Sequence, residues 1–130
     1  SSDGTARVWD LHTRKQLYYL SYACFAHQDM FEKICYATAP RITGPWTYQG
    51  ILTDRTRNSF TIHPGIVEYK GQWYFFYHDA LLTIGDLKGA TGRRAIAVEY
   101  LDFHDDGTIR PVAQTDAGIS VPPAQNGNPT

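Results

Sequence analysis

The sequence predicts an all-β, antiparallel chain, and three observations carry that expectation. Among 130 residues there are three Trp, nine Tyr and six Phe, and most stand in short runs beside Val, Ile and Thr, the residue types that suit a pleated, half-buried surface. Eleven Gly and seven Pro punctuate these runs at short intervals. No stretch carries the apolar periodicity of a three-turn helix.

In chain order, Ala6 to Trp9 reads as a short strand after the Asp3-Gly4 turn signal, with a second turn near His12 to Lys15. Leu17 to Ala23 and Ile34 to Thr38 read as a hairpin with a long polar tip at Ala26 to Asp29. Pro40 and Gly44-Pro45 interrupt pairing, because proline lacks an N–H, and Trp46 to Leu52 resumes it. After the polar connection Asp54 to Ser59, His63-Pro64-Gly65 sets a bend before Ile66 to Tyr69, which Lys70-Gly71 turns into Trp73 to His78. That last run is apolar at successive positions, so both of its faces are expected to be covered. Thr83 to Gly92 is a loop, and Arg94 to Phe103 alternates as a strand. Asp105 to Thr108 is a hairpin turn leading to a final strand, Ile109 to Val112. From Ala113 the composition is that of a tail with little to bury.

Two rough units of strand, glycine, aromatic and strand thus recur, at Leu17 to Leu52 and Ile66 to Val112. Four-stranded units repeating every ~40–50 residues are the signature of propeller blades. The expected architecture is a partial β-propeller of about two four-stranded antiparallel blades. Two blades cannot close a ring, so sheet faces and edges are left open.

Composition also excludes functions. Twelve Lys and Arg against thirteen Asp and Glu give a net charge of −1, which offers no basic field for nucleic acid or an anionic membrane. The longest apolar runs fall far short of the ~20 residues of a bilayer span. No charged-then-apolar secretion signal opens the sequence, and both secreted and cytoplasmic placement are compatible with it. Phosphate-binding glycine loops and nucleophile elbows are missing from the motifs. Cys24 and Cys35 fall on neighbouring strands of one hairpin, so a disulfide is geometrically allowed, but free buried thiols are the expectation without a denser cysteine framework.

Several ordered segments carry a resemblance. They are Tyr18-Tyr19-Leu20-Ser21-Tyr22-Ala23, Ile34-Cys35-Tyr36-Ala37-Thr38 with Thr43-Gly44-Pro45-Trp46-Thr47-Tyr48, Asn58 to Val67, Gly71 to His78, Arg93 to Val98 and Asp106-Gly107-Thr108-Ile109. In this order they resemble the later blades of glycoside hydrolase family 43, over residues 18–116. The resemblance implies a five-bladed propeller whose central pocket hydrolyses arabinose- and xylose-containing plant oligosaccharides and polysaccharides with inversion. It implies no required cofactor, and a structural calcium near the propeller centre is compatible with the complete family fold.

Inverting hydrolysis needs an acid to protonate the leaving oxygen and a base to activate water, ~6.5–9.5 Å apart. In the resembled family the base Asp and the Asp that tunes the acid come from earlier blades. The acid Glu comes from a Glu-x-Pro context just upstream of the tyrosine pair matching Tyr18-Tyr19. Here no Glu precedes Glu32, so no catalytic residue is assigned and the isolated chain is expected to be inactive. Instead, residues 1–17 resemble a WD-repeat strand pair through Trp9-Asp10. The lost Glu and the gained motif coincide, which favours a fusion or fragment over a diverged blade. The expected organisation is a WD-like strand pair at 1–17, the family 43-like part at 18–116 and a flexible tail at 117–130. A non-catalytic protein-interaction module is the alternative this segment raises.

Two substrate-binding residues are carried over from the resemblance. His63 matches a histidine facing the central pocket, near sugar or a bound cation, although the preceding residue is Ile62 where the family usually has Asn. Arg94 matches an arginine that reaches sugar hydroxyls, a task suited to the fixed fork of a guanidinium. His78 and Asp79 are expected to be structural, because adjacent strand residues point to opposite faces. Glu32, Asp54, Glu68 and Glu99 are expected to be scattered, solvated carboxylates, and the aromatics to be core between blades.

Overall fold

The computed structural model describes residues 5–9, 16–25, 30–89 and 93–123. The turns expected at Asp3-Gly4 and near His12 to Lys15, the hairpin tip Ala26 to Asp29 and the last residues of the tail lie outside them. Among the described residues, seven strands form two antiparallel sheets. The first has the order β1–β2–β3–β4, from Thr5–Trp9, Gln16–Cys24, Lys33–Ala39 and Thr47–Thr53, and the second the order β5–β6–β7, from Gly65–Tyr69, Gln72–Asp79 and Ala95–Leu101. The first four strands therefore make one complete meander, in which Thr5–Trp9 is the outer strand, registered as Thr5 opposite Leu20 and Trp9 opposite Gln16.

Local chemistry sets the turns. Tyr69 pairs with Gln72, leaving Lys70 and Gly71 as a two-residue loop with φ of 51° and 82°. Positive φ at both central residues is the primed turn whose twist matches the strands it joins. Between β3 and β4 the register shifts twice, at Ile34/Cys35 and Tyr36/Ala37, so β4 bends along its partner as bulged strands do.

The two sheets share one core. Tyr19, Ile34, Tyr36 and Leu52 from the first sheet meet Phe75, Tyr77 and Leu101 from the second, with Ile62, Ile109 and Val112 from the connections between and after them. Trp73 and Phe103 pack at its margin, with Phe103 edge-on to both Tyr19 and Trp73.

Four expectations are corrected. Cys24 and Cys35 are joined as a disulfide, with Cα atoms 6.1 Å apart, and are not free thiols. The second sheet has three strands, because Ile109 to Val112 forms only a bridge, Phe103 to Ile109. Beyond it, the N–H of Arg110 goes to Asp102 O at 2.9 Å, whereas that of Val112 goes to Leu52 O at 2.7 Å. The segment thus passes from one sheet to the other instead of extending either. Strand β6 is central in its sheet but covered on one face. Phe75 and Tyr77 are buried, while Phe76 on the opposite face is 39% exposed. Finally, the segment 114–121, expected to bury little, is held by hydrogen bonds near both of its ends. Gln114 donates to Asp54 O at 2.8 Å, and the Tyr100 hydroxyl donates to Val121 O at 2.9 Å.

Candidate functional site

The backbone between β4 and β5 places His63. Ile62 is fully buried in the core, and Pro64-Gly65 leads directly into β5, so the histidine between them is anchored on both sides while its own side chain is exposed. Across from it, alternation on β6 turns Phe75 and Tyr77 into the core and sends His78 the other way. The His63 and His78 rings meet edge to face, with centroids 5.1 Å apart and planes at 65°.

The surroundings of His78 act on its charge. Both of its ring nitrogens are buried without a hydrogen-bond partner. Its pKa falls below the ordinary imidazole value, first because burial disfavours the charged ring, then through the nearby His63 and Arg94 side chains, with Glu32 and Asp79 acting in the opposite sense. Arg94 stands exposed just before β7 and lines a cavity of about 230 Å³ with Ala80, Leu82, Ile84, Arg93 and Ala95. His63 and Arg94, the two residues singled out from the sequence, are therefore both electrostatic neighbours of one imidazole.

Asp79 belongs to another assembly, as the alternation of adjacent strand residues requires. Its carboxylate accepts the Leu81 N–H at 3.2 Å and lies 3.9 Å from Arg57, whose guanidinium also pairs with Asp116.

Two carboxylates expected to be solvated are not. Glu99 is 5% exposed and accepts the Tyr77 hydroxyl at 3.1 Å and the Thr115 N–H at 2.6 Å. Burial, and then the Glu99 charge, push the Tyr77 phenol well above its usual range. Glu32 is half-buried and accepts the N–H of Ile62 at 3.1 Å, one residue from His63. Sequence reasoning missed Glu32 because its partner is a backbone group thirty residues away. His78 carried a visible signal, the alternation that sets it opposite Phe75 and Tyr77. Asp54 and Glu68 are exposed, as expected.

Among the described residues no three His, Cys, Asp or Glu side chains gather as a metal-binding group. Calcium favours six to eight oxygen ligands, and the imidazole pair with one backbone-bonded carboxylate does not provide them. No described helix is long and apolar enough to cross a membrane.

In fold, the two packed antiparallel sheets match part of the chain of family 43 glycoside hydrolases of known structure. The chain superposes on the family 43 enzyme of Xanthomonas citri solved with xylose, with a TM-score of 0.61 and 40% identity over 74% of this chain and 26% of that one. A family 43 β-xylosidase/α-arabinofuranosidase from a compost metagenome, solved with xylotriose in a calcium-free form, gives a TM-score of 0.60 and 39% identity over 74% and 26% of the two chains. A xylosidase/arabinosidase of Bacteroides ovatus is 35% identical over 99 residues, 76% of this chain and 28% of that protein. No family model matches the chain. About three quarters of the chain match glycoside hydrolase family 43 enzymes, and they span somewhat over a quarter of the curated relatives.

Proposed function

We propose that this chain is the sugar-contacting later part of a family 43 hydrolase acting on α-L-arabinofuranosyl or β-D-xylosyl linkages, and that it does not turn over substrate alone. His63 and Arg94 bind the sugar. An imidazole offers a donor or an acceptor and a guanidinium several donors in a fixed fork, which suits a ring of hydroxyls. The observation that carries this reading is the meeting of His63 with His78 beside Arg94, within a segment similar to enzymes solved with xylose and xylotriose. Inactivity follows from the carboxylates. Inverting hydrolysis needs a matched acid and base. Among the described carboxylates singled out in the sequence, Glu99 is committed to Tyr77 and Thr115, Asp54 and Glu68 are exposed, and Glu32 is engaged with the Ile62 N–H.

The test is calorimetry of the purified chain with xylotriose, alongside 4-nitrophenol release from arabinofuranoside and xyloside substrates. Weak xylotriose binding that disappears in His63→Ala and Arg94→Ala is expected, with no release above that of the His63→Ala control. Binding unaffected by either substitution would remove the assigned roles, and release well above the control would remove the inactivity.

A further inference from the structure

We infer that Glu32 is a positioning residue for His63: its backbone and its carboxylate grip the segment Phe60–Ile62 at two points and so fix where the next residue stands against His78. The inference builds on the proposed sugar-binding role of His63. Its geometry is independent of any sugar.

The grip is made of two hydrogen bonds in opposite senses. Glu32 donates its N–H to Phe60 O at 3.0 Å, and its Oε2 accepts the N–H of Ile62 at 3.1 Å. Residues 60 and 62 are thereby held by one residue of the β2–β3 connection, with Thr61 between them. The clamp is reinforced on the outside. The Phe31 ring stacks on Phe60 with centroids 5.3 Å apart and planes at 16°, and the Arg55 guanidinium lies 4.4 Å above Phe31. On the inside, the Ile62 side chain is fully buried in the shared core. Ile62 is consequently fixed through both its side chain and its N–H, and His63 inherits that fixed origin.

The carboxylate also has an electrostatic task. His78 faces His63 and Arg94, which oppose its protonation, and Glu32 and Asp79, which favour it. Asp79 is engaged with Arg57 and the Leu81 N–H. Glu32 is thus the acid that joins the histidine pair to the clamp. A purely structural carboxylate would need only its acceptor oxygen, whereas a positioning residue that also sets the site's charge needs both oxygen and charge.

Two substitutions separate these tasks in the full 130-residue chain. Glu32→Gln keeps a carbonyl acceptor for the Ile62 N–H and removes the charge, and Glu32→Ala removes both. The readouts are amide hydrogen exchange at Ile62, measured against Phe75 and Leu101, and the titration midpoints of His63 and His78 followed by NMR. A hydrogen bond to a charged acceptor is worth about tenfold or more in local opening. In the Ala variant Ile62 is therefore expected to exchange about tenfold faster than in the parent while Phe75 and Leu101 hold. The Gln variant should keep Ile62 within about threefold of the parent. Both variants should lower the His78 midpoint. Unchanged Ile62 exchange in the Ala variant, or a His78 midpoint that neither variant moves, overturns the inference. Should the Ala variant not fold, the His78 midpoint in the Gln variant decides. Because neither readout involves sugar, failure of xylotriose binding would count against the proposed function and leave this inference standing.

Discussion

The hydroxyl of Tyr36 on β3 accepts the N–H of Ile109 at 2.9 Å, across 73 residues of chain. It also donates to the carbonyl of the same residue at 3.4 Å. Both residues are 4% exposed, and burial pushes the phenol above its ordinary pKa. One side chain of the first sheet thus satisfies both backbone groups of a residue that lies in neither sheet's ladder. Tyr36→Phe keeps the ring and leaves a buried N–H unpaired, a loss of about 1–3 kcal/mol. The thermal midpoint should drop by several degrees, and an unchanged midpoint would mean that water replaces the hydroxyl.

The disulfide is the next point of leverage. Cys24 lies at the end of β2, two residues past the Tyr22–Cys35 pair. The bond therefore holds the strand end from which the connection to Glu32 departs. A bridge closing a short loop contributes roughly 2–4 kcal/mol, mainly by restricting the unfolded chain. Melting with and without dithiothreitol should differ by several degrees in the parent and not at all in a Cys24→Ser/Cys35→Ser double variant. Superimposable parent melts would show that the bridge adds nothing.

The strands were legible because their residues announce them. The strand position of Trp73 to His78, though not the covering of both its faces, the Lys70-Gly71 turn and the alternation that separates His78 from Asp79 stand in the structure as the sequence implies. Pairings between distant backbone groups and side chains were not legible. Nothing local tells that Glu32 meets the Ile62 N–H, or that Val112 bonds to Leu52 instead of continuing a hairpin. The spacing of Cys24 and Cys35 permitted a bond without requiring one, since only the strand register brings their Cα atoms to 6.1 Å. His63 and Arg94 came from the resemblance. Alternation alone could have added His78, but not Glu32.

Stability should depend on pH through His78. Its folded-state pKa lies below the ordinary value of 6.5, with burial the first cause and His63 and Arg94 next, against Glu32 and Asp79. Between the folded and the ordinary pKa the unfolded chain binds more protons than the folded one, so stability falls as pH falls. The contribution is complete above about pH 6.5 and is lost on acidification through and below that value. Midpoints measured from pH 7.5 to pH 5 should decline more steeply in the parent than in His78→Gln. Parallel curves would place the acid sensitivity elsewhere.

Gly107 tests the packing of the turn after β7. Its φ is 89°, and a Cβ there would stand 2.8 Å from Leu17 Cδ1 and 3.3 Å from the Tyr19 hydroxyl, which donates to the Gly107 carbonyl at 2.5 Å. Gly107→Ala combines backbone strain of about 1–2 kcal/mol with a displaced Leu17 side chain and a disturbed hydrogen bond. It should lower the midpoint more than Gly71→Ala, where the strain is similar but nothing lies within 4 Å of the added carbon. Equal effects would show that Leu17 yields without cost.

Neighbouring phenylalanines on β6 report the one-sided burial of the second sheet. Phe75 is fully buried, stacks on Tyr77 with ring centroids 5.6 Å apart and belongs to the shared core. Phe76 is 39% exposed, on the face that also carries Val67 at 45% and Ile96 at 84%; pairing of Gly65 with Phe76 and of Phe76 with Val98 makes that face continuous across the three strands. Phe75→Ala should cost about 3–5 kcal/mol, the usual loss for a large core ring, whereas Phe76→Thr should stay within about 1 kcal/mol, because a β-branched residue suits a strand and the ring removed is already wet. Denaturant midpoints for the two variants distinguish the cases directly. Comparable losses would mean that the outer face of β6 is covered in solution, by a second copy of the chain or by rearrangement of the segment after Ala113, and a concentration-dependent midpoint would identify the former.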